Sequence, residues 1–195
     1  RCLSQGHHPA GMKLLSSERI NKTMNIEKIE TNRLYLRPFT KDDALFAISI
    51  WNDPEMGEYL GDPALETIDP EYVKEIEALG DDPICCYLIA ESKTTGERIG
   101  TCSFIPLEDQ TVYDIAYCVN KLHWRKGYAT EMIQGMIAYA KAHSGKRITV
   151  KIDPDNAASN GVVKKLGFKV VHTGSYVKRG ENKVCPEYTY ELLLS

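Results

Sequence analysis

No stretch of this chain stays apolar for long. Nothing in it approaches the roughly 18 residues that a membrane-spanning helix needs, so no membrane partner is expected. Basic excess is also missing. The formal net charge of -3 argues against a generic nucleic-acid binder, which carries a surplus of Lys and Arg. The six cysteines (Cys2, Cys85, Cys86, Cys102, Cys118, Cys185) form no C-x-x-C pair. That excludes a zinc site read from spacing and fits small, buried, reduced thiols in a cytoplasmic protein better than a disulfide framework. No metal ligand set is expected. G-x-x-x-x-G-K-[S/T] is absent, which rules out a P-loop, and the absence of G-x-G-x-x-G leaves a dinucleotide fold poorly supported. Internal repeats and a linker that would split the chain are lacking too.

What is present reads as one domain of ordinary composition, with 43% hydrophobic and 26% charged residues in a length of 195. Residues 1–23 are polar and turn-rich, and they lack the apolar core of a secretory signal. They are expected to be a leader, upstream extension or expression remnant, poorly ordered unless docked. The pair His7 and His8 within them is given no specific role. The domain proper is expected over 24–195. Charge is uneven along it. Residues 53–82 hold eleven acidic residues and one lysine, whereas 121–183 hold thirteen Lys/Arg against four Asp/Glu. Two solvated faces would explain this; so would a basic half for an anionic cofactor and an acidic half facing a cationic substrate.

The hydrophobic period sets the element order. "RLYLRPF" (33–39) alternates as a strand. Thr40 or Asp42 then caps a helix to Trp51, with Ala44, Leu45, Ala47, Ile48 and Trp51 on one face. Residues 52–70 form a loop, and 71–79 a second, acidic helix. "ICCYLIAE" (84–91) and "RIGTCSFIP" (98–106) make a hairpin, and "VYDIAYCVN" (112–120) a third strand. A helix over 127–143 carries Ala129, Met132, Ile133, Met136, Ile137 and Ala140 at helical spacing. "RITVKID" (147–153) is a strand, 156–166 a helix stopped by Gly167 and Phe168, and 168–177 and 184–194 are closing strands. The hairpins imply antiparallel pairs. The strand, long helix and strand from 112 to 153 imply one parallel pair. The expected fold class is therefore α/β, a mostly antiparallel mixed sheet with helices on both faces.

Two stretches carry the chemistry. In "HWRKGYATEM" (123–132), Gly127 stands at the mouth of a helix whose first N–H groups have no internal partner. The helix dipole favours an anion there, and Arg125 and Lys126 add charge. In "DPDNAASNGVVKKLGF" (153–168), Asn156 is a good N-cap and Ser159 sits in the first helical turn. A structural turn and an ordinary cap would explain each stretch alone.

Together they resemble the GNAT superfamily of N-acetyltransferases. The family's Q/R-x-x-G-x-G/A motif is occupied by Trp124, Arg125, Lys126, Gly127, Tyr128 and Ala129. Trp124 replaces the first Gln/Arg, a form typical of the RimJ/RimL-type branch. That branch's N-x-x-S-x-x-V-x-x-K-L-G-F is matched by Asn156, Ser159, Val162, Lys165, Leu166, Gly167 and Phe168. Its opening E-T-x-R-L-x-L-R-P-F-T-x-x-D-A is matched from Glu30 to Ala44.

The resemblance implies a GNAT fold in which acetyl-CoA lies in a V between the splayed parallel strands at 112–120 and 147–153. Backbone groups of Tyr117, Cys118 and Val119 would pair with the pantetheine arm. Amides from Arg125 and Lys126 through Gly127, Tyr128 and Ala129 to Thr130 would hold the pyrophosphate. Asn156 and Lys165 belong to the same cofactor set, with Lys164 beside them. It further implies Ser159 as general acid or thiolate partner, with Tyr176 as an alternative used in other branches. The general base stays open. A glutamate used by a related branch falls on Lys151, leaving Glu108 and Asp114.

The acceptor must be a neutral amine. An α-amino group, with a pKa of about 8, needs less help than a lysine at about 10.4. The expected acceptor is a protein or peptide N-terminus. Small-molecule amines and a non-catalytic acyl-CoA-binding module are the alternatives, in a monomer or homodimer.

Overall fold

The computed structural model describes residues 24, 26–108, 110–178 and 183–195. The leader with His7 and His8 lies outside the described residues. Among those described, eight strands form one sheet: β1 (Ile29–Glu30), β2 (Leu34–Pro38), β3 (Cys86–Ser92), β4 (Arg98–Leu107), β5 (Val112–Val119), β6 (Arg147–Ile152), β7 (Lys169–Val177) and β8 (Val184–Leu193). Their spatial order is β1-β2-β3-β4-β5-β6-β8-β7. Every neighbouring pair is antiparallel except β5 and β6, which run parallel. Four helices accompany the sheet: α1 (Ala44–Trp51), α2 (Pro70–Glu77), α3 (Tyr128–Ala142) and α4 (Ala157–Lys165). The mixed α/β sheet and its lone parallel pair agree with the sequence reading.

Strand alternation sends side chains to two cores. From β3, Leu88 and Ala90 join Met132, Ile133, Met136 and Ala140 of α3 and Val163 of α4. Tyr87 and Ile89 of the same strand point the other way, to Ala47, Ile48 and Trp51 of α1 and Ile76 of α2. Each large apolar side chain so buried contributes about 2 kcal/mol. The sheet thus has a helical layer on each face.

The differences from the sequence reading are local. The strand β1 is two residues long, too short for a period to show. The first helix opens as a 3-10 turn, Lys41–Asp43, before α1. On α1, Ala44, Ala47, Ile48 and Trp51 of the expected face are buried, but Leu45 is 69% exposed and Ile50 is fully buried in addition. The second helix starts one residue earlier, at Pro70 with Asp69 as its cap, and ends in a 3-10 turn over Ala78–Asp81.

The start of α1 is pinned by a buried charge. Asp43 accepts from Arg37 at 2.8 and 3.0 Å, from Arg98 at 2.7 Å and from Thr40 at 2.9 Å. Burial alone would raise its pKa, but the Arg37 guanidinium and the Thr40 donors outweigh that and hold it at about 2.

Candidate functional site

The parallel ladder between β5 and β6 is only three pairs long: Val112↔Arg147, Tyr113↔Ile148 and Asp114↔Thr149. It stops five residues before the end of β5 and three before the end of β6. β5 stays paired to β4 as far as Val119, and β6 to β8 as far as Ile152. Each strand therefore follows its outer neighbour, and the two part like a V. The gap opens into a cleft of about 710 Å³ walled by Tyr117, Cys118 and Val119 on one side and Val150, Lys151 and Ile152 on the other. That size suits a small-molecule ligand.

Glycine is required beneath the β5 arm. A Cβ on Gly100 would lie 2.2 Å from the Cys118 carbonyl oxygen, so only glycine lets β4 approach here. The carbonyl of Val119, expected to be open to a ligand, instead accepts from Trp124 Nε1 at 2.7 Å. Trp124 thus ties the strand end to the turn that follows.

Arg125 (φ +60°) and Gly127 (φ +80°) both adopt left-handed backbone on either side of Lys126. No side chain caps α3, so its first amides, from Tyr128 to Thr130, are left for an anion at the positive end of a 15-residue helix. Arg125, Gly127, Tyr128, Ala129 and Thr130 line the cleft. Lys126 does not; its ammonium turns back to the Leu122 carbonyl at 3.0 Å. Lys165, near the end of α4, also lies off the cleft wall.

The second turn is built differently. Asn156 Oδ1 accepts from the Ser159 amide at 3.0 Å and closes the start of α4. Asn160, which the sequence reading passed over, is buried beneath it. Its Nδ2 donates to the carbonyls of Asp153 (2.9 Å) and Asn156 (2.8 Å), and its Oδ1 accepts from Tyr190 at 2.6 Å. Ser159 is carried to the cleft wall, and its carbonyl lies 3.5 Å from the Tyr117 hydroxyl. Burial pushes the Tyr117 phenol up to about 12, which keeps it protonated. Tyr176 is not brought to this place. It lies on β7 opposite Cys185 of β8, outside the cleft wall, its pKa raised by burial and by Cys185.

The carboxylates divide by position. Glu108 is half of an exposed pair with Arg147 Nη2 at 2.6 Å, at the closed end of the V. Asp114 is buried at the last paired position before the V opens, and accepts from Thr149 Oγ1 at 2.8 Å. Glu187 on β8 was not legible in sequence. It is buried, 3.7 Å from Lys151 Nζ, and its pKa is raised by burial and by the nearby Asp114 charge. Four further carboxylates, Glu55, Glu58, Asp153 and Asp155, line the cleft itself. Two come from the acidic segment after α1 and two from the loop after β6.

These parts fit an extended thioester cofactor. The V leaves strand edges for the amides of a pantetheine arm, the Gly100 approach shapes one arm, and the uncapped start of α3 opens onto the cleft where a phosphate group would be held. Among the described residues no helix is long and apolar enough to cross a membrane, and no His/Cys/Asp/Glu group is arranged to hold a metal ion.

Comparison with known proteins agrees. A family model described as "Acetyltransferase (GNAT) domain" matches residues 33–169. The uncharacterized N-acetyltransferase p20 of Bacillus licheniformis is 26% identical over 172 residues, covering 86% of this chain and 97% of the relative. A solved proposed ribosomal-protein-serine acetyltransferase from Vibrio cholerae superposes with TM-score 0.69 at 15% identity, over 88% of this chain and 99% of its own. YncA, a proposed acetyltransferase from Salmonella typhimurium solved with its cofactor acetyl-CoA, gives TM-score 0.62 at 19% identity, over 84% of this chain and 95% of its own.

Proposed function

The chain belongs to the GNAT acetyltransferase family, and from that premise we propose that it acetylates the α-amine of a protein or peptide N-terminus, as a member of the RimJ/RimL-type branch. The enzyme is an N-acetyltransferase with acetyl-CoA as its donor. The finer reading is carried by one observation: Ser159 of the Asn156–Phe168 motif stands on the cleft wall beside Tyr117, beyond the splayed strands. The ribosomal-protein description of the Vibrio cholerae neighbour points the same way.

In this reading the bare amides of Tyr128 to Thr130 hold the pyrophosphate, supported by Arg125. The edge of β5 from Tyr117 to Val119 pairs with the pantetheine arm. A backbone N–H near Cys118 steadies the charge that develops on the thioester oxygen as the amine adds. Ser159, with protonated Tyr117 close by, supplies the proton to the departing thiolate. The attacking α-amine is partly neutral near pH 7 and needs only mild help in losing its proton. Among the carboxylates, Glu55, Glu58, Asp153 and Asp155 line the cleft and are placed to take that proton, whereas Glu108, Asp114 and Glu187 lie off its wall.

The acidic cleft wall supports a second reading, a small cationic amine as acceptor. Thiol release from acetyl-CoA separates the two. Peptides beginning with Ala or Ser, polyamines and aminoglycosides are compared by kcat/KM. A peptide should lead by at least about tenfold; a polyamine or aminoglycoside in front would replace the first reading with the second.

A further inference from the structure

The turn that bares its amides to the cleft is held from behind by a residue outside it. Arg33, in the turn between β1 and β2, donates from Nη1 to the Lys126 carbonyl at 3.0 Å and from Nε to Glu131 Oε2 at 2.7 Å. Its guanidinium lies over the Tyr128 ring, 4.3 Å from the centroid. Glu131, in the first turns of α3, is fixed from the same side. Its Oε1 accepts from Thr31 Oγ1 at 2.6 Å and from the Arg33 amide at 2.5 Å.

The geometry of one peptide gives this clamp a meaning. In a trans peptide the C=O and the following N–H point in opposite directions. The Lys126 carbonyl faces Arg33, so the Gly127 N–H faces away from Arg33, on the side where Gly127 lines the cleft. Gly127 is also the residue least able to resist rotation of that peptide, because glycine carries no steric preference at φ +80°. If the 126–127 peptide turned over, it would present a carbonyl oxygen to an anion in place of a donor.

We infer that Arg33 is the positioning residue of the pyrophosphate turn: its bond to the Lys126 carbonyl holds the 126–127 peptide with the Gly127 N–H toward the cofactor anion. The inference rests on the reading of this turn as the acetyl-CoA pyrophosphate site. Glu131 has a matching part. Burial would raise its pKa, but Thr31 and Arg33 outweigh that and keep it ionised. A bare carboxylate here would repel a pyrophosphate, and the Arg33 cation cancels its charge while being aimed by it. Lysine cannot replace Arg33, since a single ammonium does not reproduce the forked reach to both acceptors.

The test compares acetyl-CoA with S-acetylpantetheine, a donor that keeps the thioester and pantetheine arm but has no pyrophosphate. For Arg33→Ala, KM for acetyl-CoA should rise about tenfold with kcat changed less than about twofold, while KM for S-acetylpantetheine stays at the wild-type value. Arg33→Lys should recover little of the loss, and Glu131→Gln should fall between. An unchanged KM for acetyl-CoA overturns the inference, as does an equal rise for both donors, which marks general loosening. If Arg33→Ala fails to fold, Arg33→Lys and Glu131→Gln decide by the same ratio. Gly127→Val serves as the control on the underlying reading. Should it leave the acetyl-CoA KM untouched, the pyrophosphate site itself is misplaced. Should it raise that KM while the Arg33 variants do not, only the role of Arg33 falls.

Discussion

Two helices in this molecule start just after a strand that lines the cleft, and their first turns have opposite designs. At α4 the chain satisfies itself: Asn156 accepts from the Ser159 amide, and Asn160 ties down the loop beneath. At α3 the chain leaves the work undone. Glycine in left-handed backbone stands where a capping side chain would, and the first amides face the cleft. A closed turn stabilises the fold and presents a side chain in a fixed place. An open turn gives up that stability and presents the backbone itself. On the function proposed above, the closed turn would carry the chemistry and the open one the cofactor anion, although Asn156 of the closed turn also lines the cleft.

Three experiments would break or sharpen that division. The largest effect is expected at the closed turn, from Ser159→Ala. If its hydroxyl delivers the proton to the leaving thiolate, kcat should fall about a hundredfold with the Kd for CoA nearly unchanged, whereas Tyr176→Phe should leave kcat alone. A drop of similar size in the tyrosine variant would reverse the assignment. Next comes the open turn. A β-branched side chain at φ +80° costs more than about 2 kcal/mol, so Gly127→Val should weaken CoA binding at least about thirtyfold by calorimetry. Gly127→Asn tolerates that backbone better and should cost less; equal losses would mean that strain does not govern the site. The smallest effect is expected from Asn156→Ala, the loss of about 1 kcal/mol of cap, seen as a Tm lowered by about 2–4 °C with CoA affinity altered less than threefold. A large affinity loss there would show that the closed turn also binds cofactor.

Sequence legibility followed the distance between partners in part, since Asn160 and the Trp124 bond escaped it although their partners lie within seven residues. Gly127, Asn156, Ser159 and the buried stripe of α3 act through neighbours within one or two turns of chain, so their spacing carried the signal. The clamp did not, because Arg33 and Glu131 lie 98 residues apart. Nothing local distinguishes Glu131 from any acidic residue near a helix start. Trp124 was read as a mark of family branch, yet its bond to the Val119 carbonyl needed the coordinates. The places of Tyr176, off the cleft wall, and of Glu187, buried beside Lys151, were not legible either. Alternation along β7 and β8 says which residues share a face, but not which face meets the cleft or what lies across it. Ile50 is buried and Leu45 is not because the core covers the arc around Ala47 and Trp51, which Ile50 borders and Leu45 does not.

The tie between Trp124 and β5 has one more consequence. The chain holds only two tryptophans. Trp51 is buried in the α1 core, its indole donating to Thr101 at 3.1 Å, while Trp124 is 40% exposed on the cleft wall. One indole is a constant reference and the other looks onto the space the donor would fill. The molecule therefore carries an optical gauge of its own occupancy, and ultraviolet emission can follow the filling of the cleft with no label attached.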